Sequence, residues 1–405
     1  MFPANAVGAS LKITPLCRQH PRREQLRRRM LVRLQSGRPS YEHDQPLHNE
    51  EDVLARCLTS AADLVDEIII VDTGSTDRTK EIASGFTKHI YDFPWIDDFS
   101  AARNFSFSLA TMDFCLWLDA CDVLLENDRN TFRKLKEALT HNLSVVMMKY
   151  SRSLDEQDNH AFANYRERIV RNRAGMIWEG AVYEAIQPLG QVIHSECAVT
   201  CRKLRSSDPD RNLRIFEKQL KNGVALEPRQ QFYFGLELYY HKRYEDALQV
   251  LKAFLDGGRG ALENNIDACR HCAYCYYGLK QDGAALLSLF RTLELDLPRA
   301  KVCCDIGKHF LDRPRYAQAV FWYTLALSSK REDGHDGFTS PDCYGYLPCI
   351  QLCACYIQLG DSERAIRFNE LAAGFKPDSE AAAHNRLFFA GRSGASPVAA
   401  NPESR

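Results

Sequence analysis

The stretch DEIIIVDTGSTDRTKEIA, Asp66 to Ala83, decides the fold. Ile68 to Val71 form an unbroken apolar run, the signature of a strand buried on both faces. Asp72 ends the run, Thr73-Gly74-Ser75 makes a turn, and Thr76 or Asp77 opens a helix. Strand, turn and helix in that order are the unit of an open α/β sheet, whose ligands bind beyond the carboxyl ends of the strands. Asp72 is then placed to accept hydrogen bonds from a ribose or a base, and Gly74 and Ser75 allow close backbone approach. A plain capped turn would give the same pattern with no chemistry attached.

The flanking sequence repeats the alternation. NEEDVLARCLTSAADLV reads as a helix with Val53, Leu54, Cys57 and Leu58 on one face. HIYDF is a short strand, FSAARNFSFSLAT a helix, DFCLWLDACD a strand, NDRNTFRKLKEALT a helix and SVVMMKY a strand. Such alternation predicts a mainly parallel sheet covered on both faces. Residues 151–204 are strand-rich. Residues 208–376 are helical and repetitive: Ala247, Ala285, Ala319 and Ala365 hold one shared position, and the middle pair is 34 residues apart. That is the tetratricopeptide period, and stacked helix pairs of this kind make a concave groove.

A chain of 405 residues predicts two domains. We place them at 48–205 and 206–390, with a basic tail (1–47) and a short tail (391–405) expected to be disordered. The formal net charge of −1 gives no bulk attraction to nucleic acid, and no apolar run reaches the roughly 20 residues of a membrane span. Fifteen cysteines without an apolar leader predict thiols in a reducing cytoplasm. Cys269, Cys272 and Cys275, with His271 among them, have zinc-like spacing. They lie in a repeat helix, however, where cysteine serves as a small packing residue, and the same holds for Cys349, Cys353 and Cys355.

Four further groups carry chemistry. Arg103 and Asn104 sit on the helix before WLDACD, and an arginine there matches phosphate oxygens. Asp119 and Asp122 offer hard oxygens for Mg²⁺ or Mn²⁺. Glu179 and Glu184, in WEGAVYEAI, are candidate bases for an attacking hydroxyl. Trp178 offers a ring on which a sugar could stack. Each has a structural counterpart: a surface ion pair, an acidic helix start, solvated acids and a core tryptophan.

Taken in order, NEEDVLARCLTSAADLVDEIIIVDTGSTDRTKEIA, YDFPWIDDFSAARNFSFSLAT, WLDACDVL, YRERIVRNR, WEGAVYE and DPDRNLRIFEKQL resemble bacterial family-2 glycosyltransferases fused to tetratricopeptide repeats. The resemblance implies a GT-A, Rossmann-like domain followed by a repeat superhelix. It implies inverting, metal-assisted transfer from a nucleotide-diphosphate sugar to a peptide, protein or glycan. Donor contacts then fall on Glu50, Asp72, Gly74, Ser75, Asp77, Arg103, Asn104 and Asp119. A Mn²⁺ or Mg²⁺ site falls on Asp119, Cys121 and Asp122, with Tyr183 at a family histidine position. Glu179 or Glu184 becomes the base, and Trp178 the acceptor contact. The departures are Cys121 for Asp, Tyr183 for His and Cys201 for His. In addition, YEHDQPLH stands where a core strand should run into Asn49-Glu50-Glu51, so the first strand is expected to be missing, through relaxed function or a non-native chain start. Those departures support an alternative: a non-catalytic repeat protein with a degenerate transferase domain.

Overall fold

The computed structural model describes residues 30–34, 50–153, 160–202, 208–329 and 341–393. The remainder of both predicted tails lies outside the described residues. The first domain runs β1 (Met30–Leu34), α1 (Leu54–Ala61), β2 (Glu67–Asp72), α2 (Thr79–Ser84), β3 (Ile90–Asp92), α3 (Phe99–Ser108) and β4 (Phe114–Leu118). It continues with β5 (Asp122–Val123), α4 (Glu126–Ala138), β6 (Leu143–Ser153), β7 (His160–Arg171), β8 (Trp178–Glu179), β9 (Ala185–Ile186) and β10 (Gln191–Cys201).

Eight strands form one sheet in the order β3-β2-β1-β4-β7-β6-β10-β5. The first four are mutually parallel. β7 runs antiparallel to β4 and β6, β6 pairs β10 in parallel, and β5 is antiparallel to β10. The sheet is therefore mixed, with its parallel half at the end that carries the Asp66–Ala83 unit.

The expected loss of the first strand is corrected by β1. Met30–Leu34 lies at the centre of the parallel half, with Leu34 level with Ile70 on one side and Leu118 on the other. Without it, the facing edges of β2 and β4 would keep unpaired backbone groups inside the domain. MLVRL is masked in the sequence by the arginines before it and by its distance from Asn49. The predicted basic tail thus contains a core strand.

The apolar runs bury on both faces, as a covered sheet requires. Ile68, Ile70, Phe114, Leu116 and Leu118 pack with Leu54, Cys57 and Leu58 of α1 and Phe132 of α4. Ile69, Val71 and Cys115 pack on the opposite face beside Phe105 and Phe107 of α3. The two-residue period of β2 and β4 thus sorts one run onto two cores.

After β10 come α5 (Arg211–Lys221), α6 (Pro228–Tyr240), α7 (Tyr244–Asp256), α8 (Leu262–Gly278), α9 (Asp282–Leu295), α10 (Ala300–Leu311), α11 (Tyr316–Ser328), α12 (Tyr346–Gln358), α13 (Ser362–Phe375) and α14 (Glu380–Ser393). The four marker alanines sit on α7, α9, α11 and α13, and all are fully buried. Twelve residues before each stands another small residue on the preceding helix: Gly235, Ala273, Gly307 and Cys353. A Cβ at Gly235 would fall 2.5 Å from Leu251, and one at Gly307 2.9 Å from Tyr323. Close approach of paired helices explains why these positions stay small, and it gives Cys353 its packing role.

The two domains share one core. Phe99, Ala181, Val182 and Tyr183 of the first pack with Phe216, Phe232 and Tyr233 of the second. The Phe99 amide donates to the Ala181 carbonyl at 2.9 Å, which fixes the start of α3 against this junction.

Candidate active site

The parallel half of the sheet delivers acids at its carboxyl edge. Asp72 ends β2, and Asp119 follows β4 directly. Asp72 Oδ2 accepts from the amides of Gly74 and Ser75 at 3.0 and 2.9 Å, and Lys80 Nζ lies 3.4 Å away. Burial pushes this carboxyl up, but the Ser75 and Gly74 bonds and Lys80 outweigh it and hold it below the usual carboxylate range. Gly74 has φ of 114°, a region open to glycine, and its backbone is exposed.

Glu50 and Asp77 tie the turn to α1. The Glu50 amide donates to Thr79 Oγ1 at 2.8 Å, and Asp77 accepts from the amides of Glu51 and Thr79. These bonds hold the turn after β2 against the start of α1.

Below this rim lies a buried charge network built around Trp117. The Arg103 guanidinium lies 4.4 Å from the Trp117 ring centroid, Arg168 at 3.9 Å and Arg166 at 5.2 Å. Arg103 Nε donates to Glu184 Oε1 at 2.5 Å, and its Nη2 to Asp119 Oδ1 at 3.1 Å. Arg168 Nη1 donates to Asp122 Oδ2 at 2.8 Å, and the Asp119 amide donates to the same oxygen at 2.9 Å. Arg103, Asp119, Asp122, Arg168 and Glu184 are all buried. Within the described residues, Asp122 Oδ1 and Glu184 Oε2 are buried and make no hydrogen bond.

Several predicted site residues take other places. Trp178 is 2% exposed, edge-on to Trp117 and Phe107, so it is a core residue and has no face for an acceptor sugar. Asn104 clamps the Trp178 backbone, donating to its carbonyl at 2.9 Å and accepting from its amide at 2.8 Å. Tyr183 turns away from the acids: its hydroxyl donates to Glu237 of α6 at 2.5 Å, and its ring stacks on Tyr233. Its hydroxyl is therefore directed to the repeats and not to a metal. Of the two candidate bases, Glu184 is locked to Arg103, whereas Glu179 on β8 is exposed.

Cys121, Asp122 and Cys201 present ligand atoms within 4.8 Å of one another, all buried. Asp119, the first acid of the predicted hard-ion pair, is engaged by Arg103. Two thiols and one carboxylate do not suit Mg²⁺ or Mn²⁺, which take oxygen.

Sequence reasoning missed Arg168, Arg166 and Glu237. YRERIVRNR placed both arginines on β7, and their spacing of two puts them on one face toward Trp117. That period was a usable signal. Glu237 gave none, because its partner lies 54 residues away in sequence.

The chain is thus an α/β domain with acids at the carboxyl edge of its parallel strands, joined to helical repeats. Residues 46–204 match the family model described as glycosyl transferase family 2, and the N-terminal domain is a family-2 glycosyltransferase domain, fused to tetratricopeptide repeats. Glycosyltransferase SunS of Bacillus subtilis is 26% identical over 285 residues, covering 64% of this chain and 63% of SunS. A TPR repeat-containing protein of Synechococcus elongatus is 47% identical over 79 residues, 20% of each chain. The chain thus spans less than two thirds of either relative. Among solved structures, the TPR protein YrrB is similar at 17% identity and a TM-score of 0.33, over 44% of this chain and 84% of that one.

Proposed function

We propose that the chain transfers a sugar from a nucleotide-diphosphate sugar to a peptide, protein or glycan acceptor, with inversion at the anomeric carbon. One observation supports this reading above the rest. Asp72 and Asp119 stand at the carboxyl ends of β2 and β4, on either side of β1, within a family-2 domain. That is the edge where open α/β sheets bind nucleotides.

In this reading Asp72 receives the nucleoside and the Gly74–Ser75 backbone flanks it. Glu179 takes the proton from an acceptor hydroxyl or thiol. The acceptor atom attacks the anomeric carbon on the face opposite the diphosphate. The bond to the diphosphate oxygen breaks, and its electron pair departs with the diphosphate. The arginines around Trp117 provide the positive field toward which that charge develops. Glu184 holds Arg103 in place. The concave repeat surface presents the acceptor. Among the described residues no helix is long and apolar enough to cross a membrane, and thiol cysteines support a reducing compartment such as the cytoplasm.

A second reading, a binding protein with an inert transferase domain, is favoured by one feature: Asp119 and Asp122 are both neutralised by buried arginines. The two separate on donor binding and hydrolysis with a panel of UDP-, GDP- and TDP-sugars. Saturable binding of one donor, weakened by Asp72→Asn, supports transfer. Absence of binding across the panel supports the inert domain.

A further inference from the structure

We propose that Cys121, Asp122 and Cys201 form a binding site for a thiophilic divalent cation, Zn²⁺, with three protein ligands and one open position. The sulfur atoms of Cys121 and Cys201 stand 3.7 Å apart. Two thiolates on a tetrahedral ion, each with a Zn–S bond of about 2.3 Å, are separated by roughly 3.8 Å. A disulfide would need closure to about 2.05 Å. As they stand the thiols make a sulfur–sulfur hydrogen bond, and the same separation admits a bridging ion without movement.

The carboxylate is fixed for the same role. Asp122 Oδ2 is taken by Arg168 and by the Asp119 amide. Oδ1 is left buried without a hydrogen bond within the described residues, and a carboxylate oxygen of Asp122 lies within 4.8 Å of both sulfurs. A pair of packed thiols alone would leave that oxygen uncompensated, which is unfavourable for a buried acceptor. A cation satisfies it. Arg168 then acts as an outer partner that orients the ligand.

The scaffold is rigid. Cys201 pairs with Asp122 across β10 and β5, and the Arg202 amide donates to the Cys121 carbonyl at 2.9 Å. An open cleft of about 600 Å³, lined in part by Arg56, Ser60, Val123 and Arg202, begins one residue beyond two of the three ligands. The two cysteines lie 80 residues apart in sequence, so no spacing motif reveals the site.

The test uses the full chain, reduced and stripped of metal, titrated with Co²⁺ and then Zn²⁺. One equivalent of Co²⁺ is expected to give thiolate-to-cobalt charge transfer in the near ultraviolet, which Zn²⁺ removes and excess Mg²⁺ does not. Cys121→Ser and Cys201→Ser should each weaken binding by more than the roughly 10–100-fold that loss of an outer partner costs. Should either variant fail to fold, alkylation of the parent chain decides: Zn²⁺ must protect Cys121 and Cys201 selectively. Lack of charge transfer, or its survival in the double variant, overturns the site. So does oxidation of the pair to a disulfide with no metal uptake. Metal binding without sugar turnover would leave the site standing and count only against the transfer reading.

Discussion

Tyr183 and Glu237 join the transferase domain to the repeats: the tyrosine hydroxyl donates to the carboxylate at 2.5 Å, and both side chains are buried. Tyr183 also has φ of 54°, uncommon for an aromatic residue, so the junction holds it in a strained backbone. Its ring stacks on Tyr233 with centroids 4.1 Å apart. Burial and the Glu237 charge push the phenol up, so it stays a donor at physiological pH.

Tyr183→Phe is expected to keep the stack and lose the bond, leaving Glu237 Oε1 to accept from Asn212 Nδ2, which stands 2.9 Å away. We expect a loss of about 1–3 kcal/mol in denaturant unfolding. A double-mutant cycle with Glu237→Gln checks that the loss is shared by the pair.

Gly180→Ala probes the same junction from the backbone. Gly180 has φ of 96°, and a Cβ there would lie 2.2 Å from Gln230 Nε2. The substitution is expected to destabilise by about 1–3 kcal/mol, read as a lowered melting temperature.

Arg103→Leu removes a cation shared by Asp119 and Glu184 while keeping an apolar stem beside Trp117. Both acids would be left buried beside a lost partner. The expected cost is about 3–5 kcal/mol, measured by urea unfolding. An unchanged midpoint would show that the network is dispensable for folding.

His271 gives the repeats a pH dependence. Burial, helped by Arg270, lowers its imidazole to about 4 from 6.5, against the opposing pull of Asp267. The folded chain therefore holds fewer protons than the unfolded chain between these values. Stability from this group is complete above pH 6.5 and is lost as pH falls toward 4. His271→Gln should remove about 2 kcal/mol of that acid-side loss between pH 7 and pH 5, seen by comparing melting at the two pH values.

The sequence displayed the periodic parts of this molecule and hid the paired ones. Ile68–Val71 and the four marker alanines announced a buried strand and a helical repeat, because period and burial are local properties. β1 was hidden because five residues within an arginine-rich run carry too little pattern of their own. Only pairing with β2 and β4 makes them a strand. The site divides the same way. Asp72 and Asp119 were legible from their place at strand ends. The burial of Trp178, the turning of Tyr183 toward Glu237 and the meeting of Cys121 with Cys201 depend on contacts 54 or more residues apart, as in the Tyr183–Glu237 and Cys121–Cys201 pairs.

The most direct test of the account is donor binding by the intact chain and by Asp72→Asn, measured calorimetrically with UDP-, GDP- and TDP-sugars. The account expects one donor class to bind saturably, with affinity falling by about 10–100-fold in the variant as a charged hydrogen bond is lost. Equal affinity in both chains, or no binding of any donor by the parent, would contradict it.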